Sequence, residues 1–248
     1  KTADLLSPND HPIGTKRLIL DTNYYETYNL PHVKLVNIRK NPITEITEWG
    51  IKTADGKSYE VDAIVFATGF DAMTGAMKEI DIKGKGGLSI RDKWKDGPHT
   101  YLGVMTAGFP NMFMITGPQS PGVKSQMIFA CQQHVDFIAD AIKYARERQM
   151  RRIEPSRIAE MNWVAHNNEV ANSTLYPLAA SWYMGANIPG KPRVFMPYVG
   201  GFDAYKRRCD AVAAGGYEGF RLTRQRVPVR EAEAAAPALS MRRHRSGE

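Results

Sequence analysis

Apolar residues recur at every third or fourth position over residues 123–149, with charged residues between them. On a helix this spacing gathers the apolar side chains on one face, so we predict one long amphipathic helix here. Two further helices are predicted, one over 156–171 with Ser156 as its N-cap, and one over 203–214. The apolar positions of the long helix are Met127, Ala130, Cys131, His134, Val135, Ile138, Ile142 and Ala145.

Short apolar runs separated by turn residues predict strands in the first half of the chain. VKLVNI at 33–38 predicts a short strand, and the runs over 43–60 predict a small antiparallel meander. The meander leads into SYEVDAIVFATG at 58–69, which predicts one longer buried strand. NMFMIT at 111–116 is apolar at nearly every position, as is typical of a strand covered on both faces.

The predicted strand at 58–69 ends in three small residues, Ala67-Thr68-Gly69. Because Gly lacks a Cβ, another group can approach its backbone closely. In doubly wound folds a dinucleotide binds at the carboxyl ends of the strands. The motif therefore indicates either a nucleotide approach point at Thr68 and Gly69 or a strand that simply turns there. No G-x-G-x-x-G motif follows a strand in this sequence, so a pyrophosphate would have to be held elsewhere.

Composition changes this picture only slightly. The chain has 248 residues, 43% of them hydrophobic, and a net charge of +7. From Arg221 onward it holds seven arginines against three glutamates, so we predict a disordered basic tail over 221–248 rather than a nucleic-acid-binding surface. No apolar run is long enough to span a membrane and no signal peptide is evident. We therefore expect a soluble, cytoplasmic protein with no nucleic-acid or membrane partner.

The cysteines and histidines do not indicate a metal site. Cys131 and Cys209 are far apart and outside any C-x-x-C spacing, so we expect two reduced thiols rather than a disulfide. The six histidines show no H-E-x-x-H or paired spacing, so no metal ligand is predicted.

Two further features carry possible chemistry. Lys16 and Arg17 place two cations side by side, which suits either a phosphate or oxyanion site or a solvated surface pair. Trp182 precedes a segment rich in Gly, Asn and Pro, which suits a mobile loop that carries an aromatic ring to a ligand. Packing of Trp182 in the core is the alternative.

Six blocks of the sequence, taken in order, resemble the C-terminal half of Baeyer–Villiger monooxygenases, over about residues 5–220. They are GTKR, DTNYYE, VFATGFDA, TYLGVMTAGFPNMFMITGPQSP, LYPLAASWYMGANIPGKPRVFMPYVGG and GYEGF. The resemblance implies an α/β fold containing parts of two Rossmann-like dinucleotide-binding domains, with a β-meander and C-terminal helices. By this resemblance, residues 1–32 end the NADP domain and 33–220 belong to the FAD domain, with a mobile loop at about 182–203.

The resemblance also implies an activity and its cofactors. Such enzymes use FAD and NADPH to insert one oxygen atom of O2 into a ketone, giving an ester or lactone. Arg17 matches the family's catalytic arginine, which stabilises anionic species and contacts the nicotinamide cofactor. Lys16 and Trp182 match NADP contacts, Met127 matches a residue placed against FAD, and Thr68 and Gly69 match a turn of the flavin domain.

Alternatives and departures remain at this point. The chain departs from the family pattern at Gln119 and Lys124, which affects the expected shape and polarity of the ketone pocket. A related flavin monooxygenase that oxygenates nitrogen or sulfur is the alternative enzyme, and a noncatalytic remnant or interaction module is the alternative from another class. Because the sequence carries no G-x-G-x-x-G motif and does not begin with Met, we expect a fragment that is inactive alone and needs an N-terminal half as its partner.

Overall fold

The structure is a computed structural model that describes residues 2–224. The helices are α1 Thr2–Leu6, α2 Tyr24–Thr27, α3 Gly75–Glu79, α4 Ile90–Lys93, α5 Met127–Glu147, α6 Arg157–Asn172 and α7 Phe202–Ala214. Single 3₁₀ turns span Lys85–Gly87, Tyr176–Leu178 and Trp182–Met184. The strands are β1 Ile43–Thr47, β2 Gly50–Thr53, β3 Ser58–Glu60, β4 Arg152–Pro155 and β5 Phe220–Thr223.

The three predicted long helices are confirmed as α5, α6 and α7. Helix α5 begins four residues later than predicted because Gln126, which precedes it, has an extended backbone. At the start of α6, the Ser156 hydroxyl accepts a hydrogen bond from the Ala159 N–H at 3.1 Å, as expected for an N-cap. Helix α7 begins one residue before the predicted Asp203.

The predicted meander is confirmed as the antiparallel sheet β1-β2-β3. A second sheet, in which β4 pairs with β5 so that Ile153 faces Leu222, was not predicted. The predicted disordered tail begins too early, since its first three residues, 221–223, belong to strand β5. Their backbone is ordered because it pairs with β4. The rest of the predicted tail, 225–248, lies outside the described residues.

The long buried strand predicted before Gly69 is wrong beyond β3. Residues 61–69 form no strand, and Val65 and Phe66 are 87% and 70% exposed. A strand forms when neighbouring strands take up its N–H and C=O groups. Among the described residues, no backbone hydrogen bond reaches this run beyond Val61. Over residues 2–224, no neighbouring strand pairs with the apolar run 62–69, and no other segment covers its exposed side chains Val65 and Phe66.

The strands predicted at 33–38 and 111–116 are also wrong. At the second of these, Asn111 and Thr116 have positive φ values of 60° and 52°, which interrupt an extended backbone at both ends. The N–H groups of Asn111 and Met114 donate to carbonyls of two different segments, at 2.9 and 2.8 Å. Only Met114 of this run is buried, and the backbone of the run pairs with two different segments, so the run does not align along one neighbouring strand.

Nearly all buried residues lie between residues 71 and 223. Before residue 71, only Thr15, Gly50 and Thr53 are buried among the described residues. The largest apolar cluster fills the space between α5, α6, α7 and the irregular segment 101–105. Its members are Tyr101, Leu102, Val104, Met105, Phe137, Ala141, Ile153, Trp163, Tyr198, Tyr205, Cys209, Val212 and Tyr217.

The described residues contain neither a membrane span nor a metal cluster. No helix between residues 2 and 224 is both long enough and apolar enough to cross a bilayer. Over the same range, no three His, Cys, Asp or Glu side chains gather as possible metal ligands. The prediction of two free thiols is confirmed, since Cys131 and Cys209 form no disulfide.

Glu160 on α6 is a buried carboxylate with three partners. Its Oε2 pairs with the Lys93 ammonium at 2.6 Å, and its Oε1 accepts from the Ala107 N–H at 2.7 Å and the Thr106 hydroxyl at 3.0 Å. The side chain of Glu160 is only 3% exposed and that of Lys93 is 15% exposed. Helix α6 is thereby tied to the irregular segment that follows α4.

His134 on α5 makes a second buried connection. Its Nδ1 accepts from the Thr116 N–H at 2.8 Å, its Nε2 lies 2.7 Å from the Tyr205 hydroxyl, and that hydroxyl donates to the Leu102 carbonyl at 2.5 Å. Burial lowers the pKa of His134 to about 4. Because Nδ1 must accept a hydrogen bond, the neutral imidazole protonated on Nε2 fits this network.

We expect Glu160→Gln to destabilise the fold. The substitution leaves the Lys93 charge without its counter-ion and turns one acceptor into a donor, so the free energy of unfolding should fall by about 3 kcal/mol. Urea unfolding followed by circular dichroism measures this loss. Glu169→Gln, at an exposed position of the same helix, is the control and should change the value by less than about 0.5 kcal/mol. Equal losses in both variants would contradict the role of Glu160.

We also expect the stability of the fold to depend on pH through His134. Its folded pKa of about 4 lies below the ordinary 6.5, so the unfolded chain binds the proton more tightly. The contribution is present above pH 6.5 and is lost as the pH falls toward 4. The stability advantage of the wild type over His134→Asn should shrink by about 2 kcal/mol between pH 7.5 and 5. Urea unfolding at both pH values measures it, and a constant difference would contradict it.

Candidate functional site

Arg17 lies on the surface, beside the turn that precedes α5. Its Nη2 donates to the Gly122 carbonyl at 3.3 Å, and the side chain is otherwise exposed. Burial raises the pKa of Tyr176, and the charge of the nearby Arg17 guanidinium acts in the opposite direction. Arg17 is therefore anchored at the turn that contains Gly122, with part of its hydrogen-bonding capacity open to solvent.

Lys16 points away from this group, although it is adjacent in sequence. Hydrogen bonds from His11 and Arg39 hold the pKa of Asp10 below its usual range, and the Lys16 charge adds a smaller effect in the same direction. Lys16 also lines a cavity of about 420 Å³ formed by residues 4–11 and 35–39. The structure therefore separates the two cations that the sequence places side by side.

Met127 shares Gly122 as a neighbour with Arg17, whereas Trp182 belongs to a separate aromatic group. The Met127 sulfur is 4.0 Å from the position that a Cβ would take at Gly122, whose carbonyl Arg17 contacts. The Trp182 ring packs on Tyr183 with their centroids 4.1 Å apart, and Tyr183 meets Tyr176 at 5.7 Å. Trp182 is half-buried, so it contributes both to packing and to the surface.

Thr68 and Gly69 lie on an exposed backbone turn. Gly69 has a φ of +84°, a conformation that favours glycine, and a Cβ built there would meet no atom within 4 Å. The space beside Gly69 is therefore open in the direction that a Cβ would take.

The turn after Gly69 is tied to the loop that carries Trp182. The Asn187 side chain donates to the Phe70 carbonyl at 3.0 Å. The Lys191 ammonium donates to the Ala72 carbonyl at 2.8 Å and pairs with the Asp71 carboxylate. The side chain of Lys191 is only 7% exposed, although it carries a charge. We call these contacts of Asn187 and Lys191 the loop latch.

Sequence reasoning did not identify the loop latch. The Asp71–Lys191 pair spans 120 positions, so no local spacing shows it. The one sequence signal is the glycine at 185, whose φ is +71° and where a Cβ would lie 2.9 Å from the Pro192 carbonyl oxygen. Only glycine fits this turn without strain, and the turn brings Lys191 back toward Gly185.

Gln119 and Lys124, the two departures from the family pattern, have different surroundings. The Gln119 side-chain oxygen accepts from the Thr100 N–H and hydroxyl at 3.0 and 2.8 Å, and its amide donates to the Pro98 carbonyl at 3.0 Å. Both the oxygen and the nitrogen of the buried Gln119 side chain thus have partners inside the core. Lys124 is exposed, so of the two only Lys124 is free to affect the polarity of a nearby surface.

The described residues offer three groups of the kind that contacts dinucleotides. They supply an exposed guanidinium, a half-buried tryptophan and an open glycine turn, the last two joined by the loop latch. Within residues 2–224, no G-x-G-x-x-G turn joins a strand to a helix, so no pyrophosphate cradle is found there. These groups are therefore chemically suited to contact FAD and NADPH, although the described residues do not hold the pyrophosphates.

Comparison with known proteins relates most of the chain to flavin monooxygenases. No family model matches the chain. It is 44% identical over 221 residues to acetone monooxygenase (methyl acetate-forming) from Gordonia sp. (strain TY-5), covering 89% of this chain and 42% of that protein. It is 42% identical to a phenazine N-monooxygenase from Lysobacter antibioticus, and 39% identical to cyclohexanone 1,2-monooxygenase from Acinetobacter sp., covering 90% and 92% of this chain.

Solved structures give the same relation. The crystal structure of cyclohexanone monooxygenase from Rhodococcus sp. Phi1 bound to NADP+ matches with a TM-score of 0.86 and 42% identity, over 90% of this chain and 41% of that one. A closed crystal structure of cyclohexanone monooxygenase matches with a TM-score of 0.81 and 45% identity, over 84% and 39%. The fold is therefore that of part of an FAD- and NADP-binding flavoprotein. The chain is a homologue of the Baeyer–Villiger monooxygenases that spans about two fifths of their length.

Proposed function

We propose that this chain takes part in a Baeyer–Villiger oxygenation, in which one oxygen atom of O2 is inserted into a ketone to give an ester or lactone. FAD and NADPH are its proposed cofactors, and a polypeptide equivalent to the remaining three fifths of its relatives is its proposed partner. Such a partner would supply the pyrophosphate sites that residues 2–224 lack. The relatives named for acetone and cyclohexanone oxygenation support the ketone as substrate class.

The observation that carries this proposal is the placement of Arg17. Its guanidinium is anchored by the Gly122 carbonyl and keeps donors open to solvent, so it can hold an anionic oxygen at this surface. Bound FAD, once reduced by NADPH, would supply the activation of O2. Arg17 would then stabilise negative charge on the reacting oxygen, and Met127 would present an apolar contact next to it.

The loop of Trp182 has a proposed role in excluding water. Trp182 is half-buried at one end of the loop, and Lys191 fastens the other end to the turn after Gly69. A loop held at this second point can cover a ligand that lies across the open glycine turn. Lys16, which faces Asp10, is proposed to contact NADP from the side of the 420 Å³ cavity.

Oxygenation of nitrogen is the second candidate activity. A phenazine N-monooxygenase is 42% identical over 222 residues, as similar as the ketone-oxygenating relatives. A soft nitrogen nucleophile would attack the terminal oxygen of a protonated oxidant, so this reaction would need no anion-stabilising cation. Comparing a ketone with phenazine as substrates of the assembled protein separates the two activities.

We expect Arg17→Ala to abolish most ester formation without loss of flavin. The assay co-expresses the chain with the part of a cyclohexanone monooxygenase that it does not match, then measures flavin absorbance and NADPH-dependent ester. Loss of the guanidinium should lower the rate at least about 100-fold, because no other cation replaces it at the reacting oxygen.

The control for Arg17 is Arg148→Ala, since Arg148 is an exposed arginine that pairs with Glu147 at the end of α5. It should leave the rate within about twofold. Ester formation that survives in Arg17→Ala would remove Arg17 from the catalytic role. Absence of flavin and of NADPH oxidation in the unsubstituted assembly would overturn the proposed function itself.

We expect Lys191→Met to free the loop while leaving the core intact. The methionine keeps much of the length but loses the pair with Asp71 and the bond to Ala72, so the loop should open more often. Hydrogen exchange at the amides of Gly185 and Ala186, which are bonded within the loop, should become about tenfold faster. Lys206→Met, which breaks an exposed pair on α7, is the matched control. Unchanged exchange in Lys191→Met would contradict the latch.

A further inference from the structure

A cleft of about 610 Å³ lies between α6 and α7, apart from Arg17 and the loop latch. A volume of this size suits a small organic ligand. Tyr198 connects the two regions: its ring lines the cleft, and its backbone N–H donates at 2.8 Å to Ser120 in the turn that ends near Gly122. None of the residues predicted as site residues from the sequence lines this cleft.

The two walls of the cleft come from helical positions on one face each. Asn162 and His166 on α6 are four residues apart, and Ala204, Arg208 and Ala211 on α7 are spaced by four and three. The small side chains on either side of Arg208 leave room around its guanidinium. The walls therefore offer polar groups on one side and a cation between two alanines on the other.

The floor of the cleft is aromatic and rigid. The rings of Trp163 and Tyr198 stack with centroids 5.2 Å apart and an interplanar angle of 26°. Tyr198 is further held by His166, whose Nε2 lies 3.3 Å from its hydroxyl. Trp163 is fixed by a hydrogen bond from its Nε1 to the Gln119 carbonyl at 3.1 Å. Trp163 and Tyr198 are only 3% and 5% exposed, so a flat ligand ring would contact small exposed parts of these rings without displacing them.

Arg208 is the main charge over this floor. Among residues 2–224 its guanidinium makes no hydrogen bond or ion pair, yet it lies close enough to the floor to oppose the rise in the pKa of Tyr101 and Tyr198 that burial causes. Glu218 lines the same cleft, but its side chain is exposed and forms no pair with Arg208 in the described residues. The Asn162 amide also has no hydrogen-bond partner over that range.

We propose that this cleft binds a small aromatic carboxylate. The ring would lie against Trp163 and Tyr198, and the carboxylate would take the open guanidinium of Arg208, which forms paired hydrogen bonds with such groups. Asn162 on the facing wall would donate to the same carboxylate. The site does not depend on the proposed oxygenation, since it shares no residue with the Arg17 region.

The test is calorimetric titration of the full 248-residue chain with 2-naphthoate and, separately, with the neutral 2-naphthamide. We expect 2-naphthoate to bind one site with a Kd of about 0.1–1 mM, and 2-naphthamide to bind at least tenfold more weakly. Arg208→Gln should weaken 2-naphthoate binding about tenfold. Glu218→Gln should strengthen it two- to threefold, because it removes a like charge from the cleft.

Two further variants tie the binding to this place. Arg207→Gln neutralises an adjacent exposed arginine that does not line the cleft and should leave the Kd within twofold. Ala211→Leu fills the cleft beside Arg208 and should weaken binding of the acid and the amide alike. Absence of saturable binding, equal affinity for acid and amide, or equal effects of Arg208→Gln and Arg207→Gln would each overturn the proposal.

Discussion

The whole core rests on one constraint: a buried segment without regular secondary structure must still pair its backbone polar groups. Residues 98–122 run through the centre of the described chain, and few of their N–H and C=O groups lie in a helix or a sheet. An unpaired buried group costs about 1–3 kcal/mol, so each needs a partner. Backbone carbonyls of other segments supply some of these partners, and side chains supply others. Glu160 takes the Ala107 N–H, His134 takes the Thr116 N–H, and Tyr205 donates to the Leu102 carbonyl.

This arrangement links the helices to the candidate site. Helices α5, α6 and α7 each place one of these polar side chains against the irregular segment, which ends in the turn at 117–122. Arg17 contacts the last carbonyl of that turn, and Met127 begins the helix that follows it. Trp163 binds the Gln119 carbonyl from the other side and forms the floor of the α6–α7 cleft. The turn at 117–122 thus lies between the surface that carries Arg17 and the cleft between α6 and α7.

The uneven distribution of burial explains why the chain looks like part of a larger fold. Between residues 71 and 223 the polar network closes around a dense aromatic core. Residues 2–70 contribute almost no buried side chains, and the apolar run before Gly69 is exposed. The relatives are more than twice as long.

Local patterns were sufficient for the elements whose stability is local. The three long helices and the meander follow from apolar spacing, an N-cap serine and turn residues, because their hydrogen bonds join residues near in sequence. The strands predicted at 33–38, 61–69 and 111–116 needed distant neighbours, and apolar content alone does not say whether these are present. The same holds for the site. Arg17 and Trp182 were singled out from sequence blocks, but the divergence of Lys16 from Arg17, the Asp71–Lys191 pair and the cleft at Arg208 depend on tertiary contacts. The Arg17–Gly122 and Asp71–Lys191 contacts, for example, span 105 and 120 positions, so no local pattern shows them.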